Sequence, residues 1–222
     1  MLKHARWQHL ELGDVSPDEF IPMAEQMGLI RQMTLQVLEQ AVGDCKKWHA
    51  QGYDFGININ LSTYCLQDFS LPDEIKNIVK KGGLNTDKVE LEITETALMH
   101  DLSRAGKILN KLSGAGLQLA IDDFGTGFSS LNYLKNLPID TLKIDKSFIQ
   151  DMHNSSNDHA IVKTIIELGH NLNCRVVAEG VENQQTIDSL NLLGVDILQG
   201  FFYRKPLSSG DLQVWLTKNF VL

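Results

Sequence analysis

The sequence predicts an α/β fold in which parallel strands are joined by helices. Strand-like and helix-like segments alternate along the whole chain, and no linker rich in Pro, Gly or Ser interrupts them. The 222 residues are enough for a substantial core, and we expect residues 1–222 to form a single domain. A closed eight-stranded barrel of this class usually needs about 250 residues. A barrel made from this chain would therefore be incomplete at its N-terminus.

The first two helices are predicted from their end signals. Ser16–Glu19 forms a capping box with Pro17 at the first helical position, and Gly28 is a plausible stop. A second helix is predicted over 31–50, ending before Gly52.

The rest of the chain continues the alternation. The helix predicted over 73–81 ends at Gly82 and Gly83. Six segments have the apolar character of strands. The N-terminal segment is a candidate for a seventh strand. The predicted strands cover 56–61, 89–94, the run from 117 into 122, 141–145, 175–179 and 196–199, and the predicted helices cover 73–81, 102–113, 129–136, 157–171, 184–193 and 209–218.

Composition limits the class of partner. The formal net charge of −8 argues against non-specific binding to nucleic acid or to a membrane surface, because both need a basic face. Cys45, Cys65 and Cys174 lie far apart without metal-ligand spacing, so we expect reduced and mostly buried thiols. Residues 1–7 have no apolar core of signal-peptide type, and no apolar run approaches the roughly 18 residues of a membrane span. We therefore expect a soluble cytoplasmic protein, with no membrane insertion by this segment.

Polar side chains stand where each predicted strand ends. In a barrel of parallel strands these ends share one rim, which is where such folds place their active sites. We therefore expect these residues to be distant in sequence and close in space. They are Asn60, Glu92, Glu95, Asp122, Asp123, Lys143, Asp145, Glu179, Glu182 and Gln199.

The spacing of these residues predicts a metal site. Lys143 and Asp145 are two positions apart and share one face of a strand, whereas Asp122 and Asp123 are adjacent, so the turn must aim the second of them. Carboxylates with one Asn amide favour Mg²⁺ or Mn²⁺ over Zn²⁺. Two such ions roughly 4 Å apart would clamp the attacking and leaving oxygens of a phosphoryl displacement. Lys143 could hold or help to deprotonate the water, or neutralise charge on the phosphate.

Each feature alone also has a purely structural interpretation. Asp122 and Asp123 could belong to a turn with a helix cap, and Asn60–Ser62 could be a simple cap. Lys143 with Asp145 could be a surface ion pair of little energetic weight. Coincidence at five strand ends together is much less plausible than at any one of them.

Seven segments resemble, in order and spacing, the EAL-domain family of bacterial cyclic di-GMP phosphodiesterases. The similarity covers nearly the whole chain, from about Arg6 to Leu216. The matching segments are Val15–Pro22, Asn60–Ser62, Leu91–Glu95, Asp122–Gly127, Leu142–Asp145, Val177–Glu182 and Gln199–Gly200.

The resemblance implies a TIM-like (β/α)8 barrel of the EAL type, in which one strand runs antiparallel to the others. It implies hydrolysis of cyclic di-GMP to linear pGpG, with two Mg²⁺ or Mn²⁺ ions per site and inhibition by Ca²⁺. It also implies a homodimer, and the parent protein is expected to carry an upstream sensory or cyclase domain.

The resemblance also assigns roles to individual residues. The catalytic residues would be Lys143, Asp145 and Glu179, of which Lys143 and Asp145 orient the water. The implied metal ligands are Asn60, Glu92, Asp122, Asp123 and Glu179; the implied substrate contacts are Arg6, Asn60 and Gln199; and the implied anchors of the loop from Phe124 to Ser130 are Glu95 and Glu182.

The N-terminus departs from the family pattern. The Glu of the family's signature falls on Leu2, and the other signature positions fall on Lys3 and His4. An alkyl side chain cannot ligate a hard cation, and the first strand with part of the second is expected to be missing. We therefore expect weak or no hydrolysis by this polypeptide.

Two alternatives to an active phosphodiesterase remain open. The first is a catalytically impaired EAL domain that binds cyclic di-GMP or docks a protein. The second is an unrelated acid-rich barrel enzyme that abstracts a proton next to a carboxylate.

Overall fold

The computed structural model describes residues 7–9, 11, 13–98, 102–127 and 134–219. The chain divides into two compact units, each described here by itself. The first unit contains the described residues of Met1–Glu92 and Ser103–Gln118, and the second contains those of Ile93–Leu102 and Leu119–Val221.

The first unit begins with an antiparallel hairpin, in which β1 pairs with β2. Further along, β3 and β4 pair in parallel, with Asn60 opposite Glu92. The elements are β1 (Trp7–His9), β2 (Gly13–Val15), α1 (Pro17–Gln26), α2 (Ile30–His49), β3 (Ile57–Asn60), a 3₁₀ helix (Thr63–Gln67), α3 (Leu71–Gly82), a second 3₁₀ helix (Thr86–Lys88), β4 (Val89–Thr94), whose last two residues belong to the second unit, and, after the short α4 of the second unit, α5 (Leu102–Gly114), whose first residue also belongs there.

Local signals set the helix ends and faces of the first unit. The Ser16 hydroxyl accepts a hydrogen bond from the N–H of Asp18 and caps α1, and Gly28 follows the helix at φ +70°. Helix α2 buries Leu38 and Cys45 among other residues of one face, and it packs against α3 and β3. A helix therefore begins at Pro17 with Ser16 as its cap, as predicted. The Ser16 hydroxyl bonds the N–H of Asp18, whereas a capping box would use that of Glu19.

The second unit is built on four parallel strands in chain order. Lys143 lies opposite Val177, and Ile144 lies opposite Ala178. The elements are α4 (Glu95–Leu98), β5 (Gln118–Phe124), whose first residue belongs to the first unit, β6 (Thr141–Ile144), α6 (Lys146–Asp151), α7 (Ser156–Asn171), β7 (Arg175–Ala178), α8 (Gln184–Leu193), β8 (Ile197–Leu198) and α9 (Ser209–Asn219).

These elements confirm the predicted α/β class and the six predicted strands, which are β3 to β8. The candidate seventh strand corresponds to the β1–β2 hairpin, which pairs antiparallel in a separate sheet. The predicted helix over 129–136 falls mostly outside the described residues, as do Leu2, Lys3, His4 and Arg6. Among the helices that are described, none has both the length and the apolar character required to cross a bilayer.

All three thiols are buried, as predicted, and none forms a disulfide. Cys45 and Cys65 lie in the first unit, and Cys174 lies in the second. Burial raises the pKa of each thiol above its ordinary value. These side chains behave as small apolar residues of the core.

Candidate metal centre

An acidic cluster lies at the carboxyl ends of two strands in the second unit. Asp122, Asp123 and Glu179 each offer one carboxylate oxygen, and these oxygens lie within 4.8 Å of one another. The two aspartates belong to β5, and Glu179 directly follows β7. All three side chains are partly buried. Carboxylate oxygens at this separation could hold a hard divalent cation. Mg²⁺ and Mn²⁺ prefer oxygen donors of this type.

A local irregularity of β5 brings the two aspartates together. The pairing of β5 with β6 shifts register between Ile121 and Phe124, and Asp123 has a left-handed backbone with φ +53°. On a regular strand, neighbouring side chains point to opposite faces. The sequence predicted an irregularity that aims Asp123, but this irregularity lies inside β5 and not in the turn that follows it. A left-handed conformation costs a residue other than glycine about 1 kcal/mol or more, so the cluster is built at the expense of local strain.

Lys143 of β6 supplies a buried positive charge to this cluster. Its side chain is 1% exposed, and its Nζ donates to Oδ1 of Asp122 at 2.7 Å and lies 2.7 Å from Oε1 of Glu179. An ammonium group at this depth is stable only when it is paired. The alternative of a surface ion pair for Lys143 is therefore wrong.

The crowding of charge alters the acidity of the carboxyl groups. Burial, followed by repulsion from Asp122, Asp145 and Glu179, raises the pKa of Asp123 to about 6. Burial also raises the pKa of Glu179, against the opposing attraction of Lys143. The Lys143 ammonium thus neutralises only part of the negative charge of the cluster, and a divalent cation would neutralise more of it.

Asp145 follows β6 and caps helix α6. Its Oδ1 accepts hydrogen bonds from the backbone N–H of Ser147 at 2.9 Å and from the Ser147 hydroxyl. Burial alone would raise the pKa of Asp145, but the hydrogen bonds from Ser147 and then from Asp123 lower it below its ordinary value. Asp145 is therefore held as a carboxylate beside Asp123. The helix that it caps, α6, was not predicted from the sequence.

The chain segments that follow β7 and β8 are held against each other. Nε2 of Gln199 donates to Oε1 of Glu179 at 2.9 Å, and the N–H of Val181 donates to the carbonyl of Gln199 at 3.0 Å. A Cβ atom at Gly200 would lie 2.1 Å from the carbonyl oxygen of Val181, so this close approach requires glycine. Glu182 accepts a longer bond, 3.4 Å, from Gln150 of α6. Gln199 thus fixes one oxygen of Glu179.

Glu95 holds the turn that follows β5. The side chain is 1% exposed, and its Oε2 accepts hydrogen bonds from the N–H groups of Gly125 at 2.8 Å and Gly127 at 3.1 Å. The part of the expected loop from 128 to 130 lies outside the described residues. One carboxylate oxygen therefore restrains the backbone just beyond Asp123.

Replacing Glu95 with Gln is expected to lower the free energy of unfolding by about 2 kcal/mol, because hydrogen bonds to a charged acceptor contribute about 1.5–3 kcal/mol. The Gln oxygen can still accept from the two backbone N–H groups, but a neutral acceptor binds them more weakly than a carboxylate does. Urea unfolding measures the effect. The matched control is Glu167→Gln on α7, whose carboxylate is exposed and makes a 3.9 Å pair with Lys163. Equal, small losses in both variants would contradict the role of Glu95.

Two further predicted residues, Asn60 and Glu92, lie in the first unit. They are cross-strand partners at the carboxyl ends of β3 and β4, where Asn60 is exposed and Glu92 is 1% exposed. Ser62, not Asn60, makes the cap in this segment: its hydroxyl accepts from the N–H of Tyr64 at 3.3 Å and donates to Glu25 at 2.7 Å. Asn60 is therefore exposed beside a buried carboxylate.

Sequence reasoning missed Asn58. Its Nδ2 donates to Oε1 of Glu90 at 2.6 Å and to Oε1 of Glu92 at 3.0 Å. Asn58 is two positions before Asn60, so both belong to the same face of β3. The two-residue spacing of Asn58 and Asn60 was the sequence signal that could have identified Asn58.

The predicted residues thus divide between the two units. Asp122, Asp123, Lys143, Asp145, Glu179 and Gln199 are linked by contacts within the second unit. Asn60 and Glu92 adjoin each other in the first.

Comparison with known proteins identifies the family of this chain. The EAL domain family model matches residues 4–206. The bifunctional diguanylate cyclase/cyclic di-GMP phosphodiesterase MucR of Pseudomonas aeruginosa is 40% identical over 208 residues, covering 93% of this chain and 30% of MucR. The cyclic di-GMP phosphodiesterase NbdA of the same organism is 39% identical over 212 residues, covering 95% of this chain and 27% of NbdA.

The fold is shared as well. A solved structure of the PaMucR phosphodiesterase in complex with c-di-GMP matches with a TM-score of 0.89 and 40% identity, covering 93% of this chain and 84% of that one. The chain spans less than a third of the length of the two curated relatives. The family match nevertheless covers residues of both compact units. This chain belongs to the EAL domain family.

Proposed function

We propose that this chain hydrolyses one phosphodiester bond of cyclic di-GMP and releases linear pGpG. The observation that carries the proposal is the cluster of Asp122, Asp123 and Glu179 with the Lys143 ammonium buried between two of its carboxylates. The names of the relatives MucR and NbdA support the substrate. In the reaction, the oxygen of water bonds to phosphorus, and the ribose oxygen leaves and takes up a proton.

The site would use two divalent cations, Mg²⁺ or Mn²⁺. The donor set fits them, because three carboxylate oxygens within 4.8 Å of one another suit a hard cation. We assign Asp122, Asp123 and Glu179 as ligands, and the family resemblance adds Asn60 and Glu92. When bound, such ions supply positive charge to the phosphate and lower the pKa of coordinated water. Ca²⁺ is expected to inhibit.

The remaining roles belong to the chain's own side chains. Lys143 holds a proton at Nζ beside Asp122 and Glu179, so it can donate a hydrogen bond to an attacking water or to the phosphate. Asp145 is kept ionised and can accept a proton from the same water. Gln199 restrains Glu179, and its amide is also our candidate contact to guanine. Arg6 is the candidate contact to the phosphate.

The wider context follows from the same resemblance. We propose a cytoplasmic protein that forms a homodimer, with the two units forming one EAL domain. Because the relatives are much longer, we also propose a sensory or cyclase domain in the parent protein.

One sequence feature favours a second candidate function. Leu2 stands where the family signature has Glu, and an alkyl chain cannot ligate a cation. The same polar residues could then bind cyclic di-GMP or a protein without turnover.

The test incubates the chain with cyclic di-GMP in Mn²⁺, Ca²⁺ or EDTA and follows pGpG by chromatography. We expect slow formation of pGpG in Mn²⁺ only, since Leu2 stands where the family signature has Glu, and a loss of at least about 100-fold in Asp122→Asn, because a metal ligand matters at least as much as its outer-shell partners. Asp188→Asn on α8, where the side chain is exposed, is the matched control.

A second form of the chain, carrying Leu2→Glu, Lys3→Ala and His4→Leu, separates the two candidates. Product from either form that disappears in Asp122→Asn supports the enzyme. Binding of cyclic di-GMP by both forms without product supports the binding module. If neither form binds cyclic di-GMP and neither releases product, both candidate functions are overturned.

A further inference from the structure

We propose that Asn58 is a positioning residue that fixes the carboxylate of Glu92. The inference rests on the proposed function, in which Glu92 helps to hold a divalent cation. It assigns a role to a side chain that the family resemblance left without one.

The strand register places Asn58 beside two glutamates. Strands β3 and β4 pair in parallel, with Asn58 opposite Glu90 and Asn60 opposite Glu92. Glu90 and Glu92 are two residues apart and therefore point to the same face of β4, the face toward which Asn58 points on β3. The Asn58 amide bridges the two carboxylates, at 2.6 Å from Oε1 of Glu90 and 3.0 Å from Oε1 of Glu92.

The chemistry of the partners fixes the orientation of the amide. Ionised carboxylates only accept hydrogen bonds, so the nitrogen of the Asn58 amide, with its two N–H donors, must face them. Both donors are then used, one for each glutamate. Rotating the amide by half a turn would put its oxygen against two carboxylates, which is electrostatically unfavourable.

A neutral donor suits this position better than a cationic one. Glu92 is 1% exposed, so its orientation must be set by protein groups more than by water. A lysine or arginine here would neutralise the carboxylate and weaken its attraction for a cation. An amide orients the same oxygen and leaves the full negative charge on Glu92. Groups that orient metal ligands in this way commonly contribute about 10- to 100-fold to metal affinity.

The test measures Mn²⁺ affinity by calorimetric titration at pH 7.5, beside hydrolysis of cyclic di-GMP. Asn58→Leu keeps the volume and removes both donors. We expect it to bind Mn²⁺ about 10-fold more weakly, at the lower end of the usual range for such partners. The matched control is Asn110→Leu on α5, an exposed Asn whose amide donates to the carbonyl of Gly106, and it should alter Mn²⁺ affinity by less than about threefold. Asn58→Ala is the second variant if the Leu side chain prevents folding.

A double-mutant cycle distinguishes positioning from a merely structural role. In a Glu92→Leu background, Asn58→Leu should have no further effect on Mn²⁺ affinity, because no acceptor is left at position 92 for the amide to orient. Additive losses would overturn the inference, and so would an Asn58→Leu chain that binds Mn²⁺ like the parent while Glu92→Leu does not. A parent chain without Mn²⁺ binding or turnover would instead overturn the proposed function on which the inference rests.

Discussion

Replacing Lys143 with Met is expected to lower the free energy of unfolding of the metal-free protein by about 3 kcal/mol at pH 7.5, because removing one partner of a buried ion pair leaves uncompensated charge. Asp122 and Glu179, whose side chains are 13% and 16% exposed, would lose the ammonium that lies 2.7 Å from each. Methionine fills similar space, so packing is largely retained. Turnover of cyclic di-GMP should fall by about 100-fold or more, the usual contribution of a proton-donating or proton-accepting side chain.

Urea unfolding in EDTA and in Mn²⁺ measures this effect. Part of the lost stability should return in Mn²⁺, because a cation on the carboxylates replaces the missing positive charge, whereas turnover should not return. Lys163→Met on α7, at an exposed ion pair of 3.9 Å, is the control and should change stability by less than about 0.5 kcal/mol. A Lys143→Met protein as stable in EDTA as its parent would contradict the interpretation of the buried pair.

Replacing Asp123 with Asn is expected to act in the opposite direction on stability. The metal-free protein should gain about 1 kcal/mol at pH 7.5, after the shift in pKa is discounted for partial exposure. Asparagine also tolerates the left-handed backbone of φ +53°. Affinity for Mn²⁺ should fall by on the order of 100-fold, since Asp123 is one of the ligands that we propose.

The pH dependence provides the check. The pKa of Asp123 is raised from 3.8 to about 6, so its ionisation destabilises the folded protein as pH rises through this window. The advantage of Asp123→Asn in EDTA should therefore be complete above about pH 6.5 and shrink as pH falls toward 4. Asp188→Asn should show no such trend. A constant difference in stability between the Asp123→Asn variant and its parent across this window would contradict the charge-repulsion explanation.

The geometry of β5 shows how far the sequence can be interpreted. Adjacent acids at the end of an apolar run predicted a strand that ends at Asp122 and a turn that aims Asp123, whereas the strand continues to Phe124 and shifts register between Ile121 and Phe124. Strands β3 to β8 were predicted for the same reason, since each is a short apolar run between turn signals. Apolar runs and turn signals are local features, so they can be recognised in one sequence.

Other features depend on what lies opposite in space. Asn58 meets Glu90 and Glu92 only because β3 and β4 pair in one particular register, and nothing within β3 specifies that register. Helix α6 was missed because Asp145 was interpreted as the end of a strand, although an Asp followed two residues later by Ser147 can equally cap a helix. The depth of Lys143 was also beyond prediction, since lysine is rarely buried.

The burial of Cys45, Cys65 and Cys174 limits the chemical reactivity of their thiols. Cys45 and Cys65 belong to the first unit and Cys174 to the second, and all three are inaccessible with raised pKa values. Thiolates are the reactive form of cysteine, so alkylating reagents and oxidants can reach these sulfurs only when the surrounding structure opens. The rates at which the three sulfurs are modified would therefore report separately on transient opening of the two units, without any engineered label.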